Sequence, residues 1–204
     1  MKLYANPFST AAFKVFAVLE ELGVPCERIT IEMAKGQHKS PEYLAINPNG
    51  KVPTLVDGDF HVWESNAILT YLAAKHPERE LMPTDARGLA TLHQWLQWQA
   101  SQFGPASNKV MFETVYAGFF GRTTDEAKLA TALEELKKEL AVLEKGLAGK
   151  EYLCGRLSIA DFSIGSLLLA RQPMRVDISG FPHVKVWMER LEARESMRKV
   201  LPAL

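Results

Sequence analysis

Two spacings of apolar residues divide the chain into a mixed first part and a helical second part. In residues 11–22 the apolar positions lie on one face of a helix: Val15, Val18, Leu19 and Leu22. In residues 29–33 apolar and polar side chains alternate instead, which predicts a half-buried strand. Gly23 and Pro25, which follow this pattern, predict the end of the helix.

The first 76 residues predict the element order β-α-β-α-β-β-α. The predicted strands are 2–5, 29–33, 54–57 and 61–64, and the predicted helices are 11–22, 41–45 and 65–75. The polar, glycine-containing residues 34–40 are expected to form a loop. Ser9 or Thr10 is a possible cap for the first helix.

The second part of the chain predicts helices alone. A row of leucines recurs at steps of four and three at 129, 133, 136, 140, 143 and 147, with charged residues on the opposite face. Because the row spans barely three heptads, a helix of a bundle is favoured over a coiled coil. Residues 78–87 lose periodicity and are predicted to be a linker. We therefore expect an α/β domain at 1–77 and an all-α domain at 88–204.

A capping box is predicted at the start of a late helix. Ser158 and Asp161 have the spacing at which a hydroxyl and a carboxylate each accept a backbone N–H at a helix start. The apolar run 164–170 behind them predicts a buried central helix. Both features are expected to serve folding and not catalysis.

Composition and charge exclude several classes of function. The 24 Lys+Arg residues balance 24 Asp+Glu residues, so the chain lacks the basic excess of a nucleic-acid binder. No apolar run approaches the ~20 residues of a membrane span, and the first residues lack a signal-peptide core. Cys26 and Cys154 form no CxxC pair, and the five histidines show no close metal spacing. A reduced, cytoplasmic protein without a metal is the expectation.

The segment 47–68 is the most informative part of the chain. Its sequence, NPNGKVPTLVDGDFHVWESNAI, contains a turn, a Val-Pro step, two strands joined at Asp-Gly, and a Glu-Ser helix start. In this order a strand edge, a carboxylate, a hydroxyl and a helix N-terminus would surround one small pocket. Such a pocket suits a short, charged, peptide-like ligand.

Taken together, these motifs resemble those of the glutathione S-transferase superfamily. The matching pieces are MKLY with a serine after it, HKSPEYLAINPNGKVPTL, DGD, ESNAI and GRLSIADF, and they cover the whole chain. The phi-like, serine-type and related bacterial branches are the most similar. The resemblance implies a thioredoxin-like N-terminal domain, an all-α C-terminal domain, and a cytoplasmic homodimer. It also implies an enzyme that joins reduced glutathione, as co-substrate, to a small hydrophobic electrophile.

The resemblance assigns the glutathione-binding positions. Ser65 would hold the γ-glutamyl carboxylate, and Glu64 would pair with the amino group unless it is an ordinary surface carboxylate. Pro53 would be a cis-proline that exposes the Val52 backbone to the cysteinyl part of the ligand, as an added strand. Three cations would face the glycine carboxylate, although each is equally plausible as a solvated loop charge: His38, Lys39 and Lys51.

The resemblance also places a catalytic serine at Ser9. The nucleophile is the thiolate, and a two-unit fall in its pKa takes roughly 2.7 kcal/mol, which one hydroxyl and a helix terminus can supply. Thr10 is the alternative donor, and either residue is alternatively only a cap. Tyr4 is expected to pack in the core. No cysteine stands at the Ser9 position, which argues against catalysis by a protein thiol.

A second substrate would contact residues of both domains. The resemblance gives as candidates Phe8, Phe103, Met111, Phe112 and Tyr116, for each of which core packing is the alternative. Gly104-Pro105 should interrupt the helix there. Two rival functions stay open: glutathione-dependent disulfide or peroxide reduction, and a non-enzymatic binding or regulatory role on the same fold. Dehalogenation and isomerisation are further possible reactions of such a site.

Overall fold

A computed structural model describes residues 1–200, which form two compact units. The first consists of Met1–Met82 together with Glu195–Val200, and the second of Pro83–Arg194. The predicted combination of a small α/β domain and an all-helical domain is confirmed.

The first unit follows the predicted order of elements. Its elements are β1 (Lys2–Ala5), α1 (Thr10–Leu22), β2 (Glu27–Thr30), α2 (Pro41–Ile46), β3 (Thr54–Asp57), β4 (Phe60–Trp63), α3 (Ser65–Lys75) and, from the end of the chain, α10 (Glu195–Val200). The sheet has the order β2-β1-β3-β4, with β2 parallel to β1 and both β3 pairings antiparallel. The fully buried Leu3 and Leu55 face each other across β1 and β3.

Helix α1 is the central helix of the first unit. Its apolar residues are buried almost throughout, and it packs against α3 and α10. Gly23 ends it in the left-handed conformation at φ 67°, where its N–H still reaches a carbonyl of the last turn. Ser196 on α10 donates a hydrogen bond of 2.5 Å to Glu21, so α10 is tied to α1 by a polar contact.

The prediction for residues 29–40 was wrong in detail. Strand β2 ends at Thr30, and Met33, predicted to be its last inward residue, is 38% exposed and begins a 3₁₀ turn, Met33–Lys35. A second turn, Gln37–Lys39, replaces the predicted loop. The reason is local: Gly36 adopts φ 73° and its N–H bonds to the Met33 carbonyl, which turns the chain away from the sheet.

The second unit is helical. Its helices are α4 (Ala86–Trp98), α5 (Gly104–Glu113), α6 (Val115–Phe119), α7 (Glu126–Leu147), α8 (Ile159–Leu168) and α9 (Pro182–Glu192). The leucine row of α7 is buried apart from the half-buried Leu133, and α7 packs against both α5 and α9. The helix therefore belongs to a bundle, as its short heptad pattern predicted.

The capping box of α8 is present, and Asp161 does more than cap. This fully buried carboxylate accepts the Ser158 N–H at 2.9 Å and the Ser158 hydroxyl at 2.8 Å. It also accepts the Leu153 N–H at 3.0 Å and the Trp187 indole N–H at 2.9 Å. One side chain thus joins the segment before α8, the start of α8 and α9, and every residue of α8 is buried.

The predicted interruption at Gly104 is confirmed. A π-helical turn, Gln99–Phe103, separates α4 from α5. A side chain at position 104 would bring its Cβ to 2.7 Å from the Gln99 carbonyl oxygen, so the turn requires glycine. The segment predicted as a linker, 78–87, holds part of a 3₁₀ turn, Pro77–Arg79, and the first residues of α4, which Asp85 caps.

Candidate functional site

The loop between β1 and α1 presents Ser9 at the start of a helix. The Asn6 side chain holds this loop: its amide donates to the Ile31 carbonyl at 3.0 Å, and its oxygen accepts the Phe8 N–H at 2.9 Å. Ser9 occupies the cap position of α1, but its half-buried hydroxyl makes no capping hydrogen bond. Thr10 is buried. The geometry therefore favours Ser9 over Thr10 as the hydroxyl that a ligand would meet.

A buried polar network shapes the loop before β3. The Tyr43 hydroxyl lies 2.6 Å from the Lys51 carbonyl oxygen and 2.8 Å from the Thr54 hydroxyl. The Asn47 amide donates to the same two oxygens at 2.7 and 2.9 Å. Sequence reasoning missed this network. Its only signal was the position of two polar residues, Asn47 and Thr54, on either side of the Val-Pro step.

Asn47→Ala is expected to destabilise the protein by about 1–3 kcal/mol, because it leaves buried oxygens with fewer donors and opens a small cavity. Denaturant unfolding of the variant measures this. Asn49→Ala is the matched control, since Asn49 is exposed and uses only its backbone N–H in this turn. Equal stabilities for the two variants would contradict a structural role for the network.

The same loop carries three of the predicted glutathione-binding positions. The Val52–Pro53 peptide bond is cis, as the resemblance implied. Gly50 has φ 61°, and a Cβ there would lie 3.1 Å from the His38 carbonyl oxygen, so glycine lets the two loops approach. His38 is half-buried, and its Nδ1 is buried without a hydrogen-bond partner, whereas Lys51 is exposed. Lys39 is exposed as well.

The start of α3 has an unusual backbone. Glu64 precedes the helix with φ 69° and ψ 115°, a conformation that a residue with a side chain rarely adopts. Its carboxylate is exposed and does not cap the helix, and Ser65 follows as the first helical residue. A backbone held in such a conformation costs of order 1–3 kcal/mol and is typical of ligand sites.

A buried lysine lies behind this helix start. Lys14 on α1 is only 2% exposed and donates a hydrogen bond of 2.8 Å to the Asn66 side-chain oxygen. Burial lowers the pKa of Lys14 to about 7, and the negative charge of Glu64 partly opposes that fall. Sequence reasoning missed Lys14. The signal that could have shown it is a single charged residue on the apolar face of α1, one turn before Val18.

The helical unit carries two pairs of aromatic rings, here called the aromatic cluster, in which all but the half-buried Tyr116 are exposed: Phe112 with Phe120, and Tyr116 with Phe119. Phe112 is 47% exposed, and the Arg122 guanidinium stacks 4.4 Å from the centre of its ring. Beside it, a surface cavity of about 660 Å³ lies between α5 and α7. Sequence reasoning missed Phe119 and Phe120, which the Phe-Phe-Gly turn could have suggested.

The other predicted electrophile-binding residues differ in their surroundings. Phe103 and Met111 are buried in the helical unit, and the Phe103 ring packs 5.1 Å from the Trp98 ring. This burial favours the core alternative for both residues. Phe8 is 49% exposed in the first unit, and burial raises the pKa of the half-buried Tyr116.

Family comparisons identify the whole chain. Residues 1–74 match the model of the glutathione S-transferase N-terminal domain, and residues 89–195 match that of the C-terminal domain. The chain belongs to the glutathione S-transferase family. A probable glutathione S-transferase of rice, GSTF2, is 39% identical over 98% of this chain and 95% of the rice protein.

Solved glutathione S-transferases share the fold. Glutathione S-transferase-I bound with lactoylglutathione superimposes with a TM-score of 0.90 at 37% identity, covering 98% of this chain and 97% of that one. A theta-class glutathione S-transferase from Xanthomonas axonopodis pv. citri, with glutathione bound, gives 0.91 at 32% identity, covering 100% and 97%.

The curated relatives correct one part of the resemblance. Relatives from rice and maize are plant proteins, and the bacterial placement is not supported. Among residues 1–200, no helix is both long enough and apolar enough to cross a membrane.

Proposed function

We propose that this glutathione S-transferase binds reduced glutathione on its first unit and transfers the glutathione thiolate to a small hydrophobic electrophile. The observation that carries the proposal is the helix start at Glu64-Ser65, within the part of the chain that matches the N-terminal family domain, where the exposed Glu64 has a costly backbone conformation. Strained backbone of this kind clusters at ligand sites, which supports a binding role for this helix start.

Each charged part of glutathione has a matching group in the proposal. The γ-glutamyl carboxylate binds the N–H groups and hydroxyl at Ser65, where the helix dipole favours an anion. Glu64 pairs with the γ-glutamyl ammonium. The backbone of Val52 pairs with the cysteinyl backbone, and the glycine carboxylate lies near the cations His38, Lys39 and Lys51.

Ser9 acts on the sulfur. Its hydroxyl makes no capping bond, which supports its proposed role as a hydrogen-bond donor to the thiolate beside the start of α1. Such a bond favours the ionised form and lowers the thiol pKa. In the helical unit, the exposed aromatic cluster around Phe112 is the proposed contact for the apolar part of the electrophile, since exposed aromatic patches mark binding surfaces.

The two protein thiols do not support cysteine chemistry. Burial raises the pKa of both Cys26 and Cys154, which makes their thiols poor nucleophiles near neutral pH. Transfer of the ligand's own sulfur is therefore favoured over reduction through a protein thiol. A cytoplasmic homodimer without a metal completes the proposal. Its domains follow the predicted division at 1–77 and 88–204, except that α10, predicted to belong to the second domain, packs in the first unit.

A calorimetric titration with reduced glutathione tests the proposal, read together with thiolate absorbance of the bound ligand between pH 5 and 9. Binding with a lowered thiol pKa, followed by conjugation of a model electrophile, is expected. Binding with an ordinary thiol pKa and turnover of disulfides or peroxides instead would favour the reductase alternative. No binding at millimolar ligand would favour a non-enzymatic role.

Glu64→Gly is expected to raise stability by about 1 kcal/mol and to weaken glutathione binding by roughly tenfold or more. Glycine adopts φ 69° at little cost, which accounts for the gain, and the lost carboxylate accounts for the weaker binding. Thermal unfolding and calorimetry measure the two effects.

Glu64→Gln is the matched control, because it removes the charge and keeps the side chain that causes the strain. It should weaken binding without the gain in stability. If both variants bound glutathione like the wild type, Glu64 would have no part in the ligand site.

A further inference from the structure

Lys14 is a buried cation that the proposed chemistry does not use. It lies on α1, the helix whose first residues follow Ser9, and only 2% of its surface is exposed. A lysine is almost never buried to this degree unless a partner holds it, since its desolvation is costly. Its retention inside the first unit therefore calls for a benefit that folding does not supply.

The contacts of Lys14 lead to the proposed γ-glutamyl pocket. Its ammonium donates at 2.8 Å to the side-chain oxygen of Asn66, the second residue of α3. The charge of Glu64, the residue before α3, acts on it as well. Lys14 thus interacts with both neighbours of Ser65: it donates a hydrogen bond to Asn66 and is attracted by the charge of Glu64.

Helix α10 also packs against α1, and its Lys199 forms ion pairs away from Lys14. On α10, Lys199 pairs with Glu20 at 3.5 Å and with Glu195 at 3.0 Å. Of these residues only Glu20 lies on α1, near the end of that helix. Two contacts described for Lys14, with Asn66 and with the charge of Glu64, are at the start of α3.

We propose that Lys14 is a positioning residue for glutathione: by holding Asn66 and facing Glu64 it fixes the first turn of α3, so that Ser65 meets the γ-glutamyl carboxylate. The inference rests on the proposed function. A charge-assisted hydrogen bond from a rigid helix is well suited to this, because it sets both the position and the rotation of the first turn. Lys14 itself does not touch the ligand.

The test measures the affinity for S-methylglutathione, a probe without a thiol, by calorimetry at pH 6.5. Lys14→Met keeps the length and apolar stem of the side chain and removes the donor. We expect it to weaken binding about tenfold or more, while Lys14→Arg, which keeps donors and charge, restores most of the affinity. Lys2→Met is the matched control, since Lys2 is exposed on β1.

Kinetics separate positioning from catalysis. With the methionine variant, KM for glutathione should rise about tenfold and kcat at saturating glutathione should stay within about twofold, because only ligand placement changes. A variant that simply loosens the fold would lower kcat, lower the melting temperature and gain nothing from arginine. Lys14→Met with unchanged affinity and KM would overturn the inference.

A second variant covers the case in which Lys14→Met fails to fold. Asn66→Leu removes the acceptor, so it should weaken binding to a similar extent, and an unchanged affinity for it would overturn the inference as well. The failure of the proposed function is distinct, since then the wild-type protein would bind neither glutathione nor its S-methyl form.

Discussion

Ser9→Ala is expected to lower kcat/KM for conjugation about 100-fold and to raise the pKa of the bound glutathione thiol by about two units. Loss of one hydrogen bond to a charged acceptor costs about 1.5–3 kcal/mol, which covers the roughly 2.7 kcal/mol that two pKa units represent. The stability of the protein should change by less than about 0.5 kcal/mol, because the Ser9 hydroxyl makes no capping bond that alanine would remove. Thiolate absorbance of the bound ligand measures the pKa directly.

Thr10→Val is the control for the Ser9 variant. It removes the neighbouring hydroxyl with almost no change of shape, and because Thr10 is buried at the start of α1 the thiol pKa should stay low. A raised thiol pKa in the valine variant and an unchanged one in Ser9→Ala would transfer the role to Thr10. An unchanged thiol pKa in both variants would mean that neither hydroxyl stabilises the thiolate.

The elements of the first unit could be predicted because each carries a local signal. Gly23 and Pro25 mark the end of α1, and Ser65–Lys75 combines a polar start with a helical apolar face. The interruption before α5 was likewise local, since Gly104-Pro105 is its signal. The prediction failed at Met33. The alternation of apolar and polar residues continued past the end of β2, but Gly36 ends a 3₁₀ turn there and the chain leaves the sheet.

The supporting residues of the site could not be predicted in the same way. Asn6 acts through a carbonyl oxygen 25 residues away, and the partner of Lys14 lies 52 residues on. Such contacts depend on how α1, α3 and the loops are brought together, which no local pattern specifies. The carboxylate and hydroxyl at Glu64-Ser65 were predicted from the order of motifs in residues 47–68, whereas the individual roles of Ser9, Glu64 and Ser65 came from the resemblance and stay predictions.

The stability of the wild-type protein is expected to rise with pH between about 7 and 10.5 because of Lys14. Its pKa is about 7 in the folded protein, against an ordinary value of 10.5 in the unfolded chain. Within that window the unfolded chain binds the additional proton, so the free energy of unfolding increases as protons are withdrawn. Below about pH 7 both states carry the charge, and the full cost of burying it applies.

The size of this effect can be stated as an upper limit. A pKa difference from 10.5 to about 7 corresponds to at most roughly 5 kcal/mol, which relaxation and water entry reduce. Because other groups titrate in the same window, the quantity to measure is the difference in unfolding free energy between Lys14→Met and the wild type. Urea unfolding at pH 6, 7, 8, 9 and 10 provides it.

Methionine at position 14 should make the protein more stable than the wild type at pH 6, and the gap should shrink steadily as the pH approaches 10. Arginine at the same position stays charged throughout, so its curve should not converge with that of methionine. Parallel curves for wild type and Lys14→Met would mean that the ammonium is solvated and not buried. Convergence, combined with weaker ligand binding by the more stable variant, would show that this chain gives up folding free energy to keep a cation behind its glutathione site.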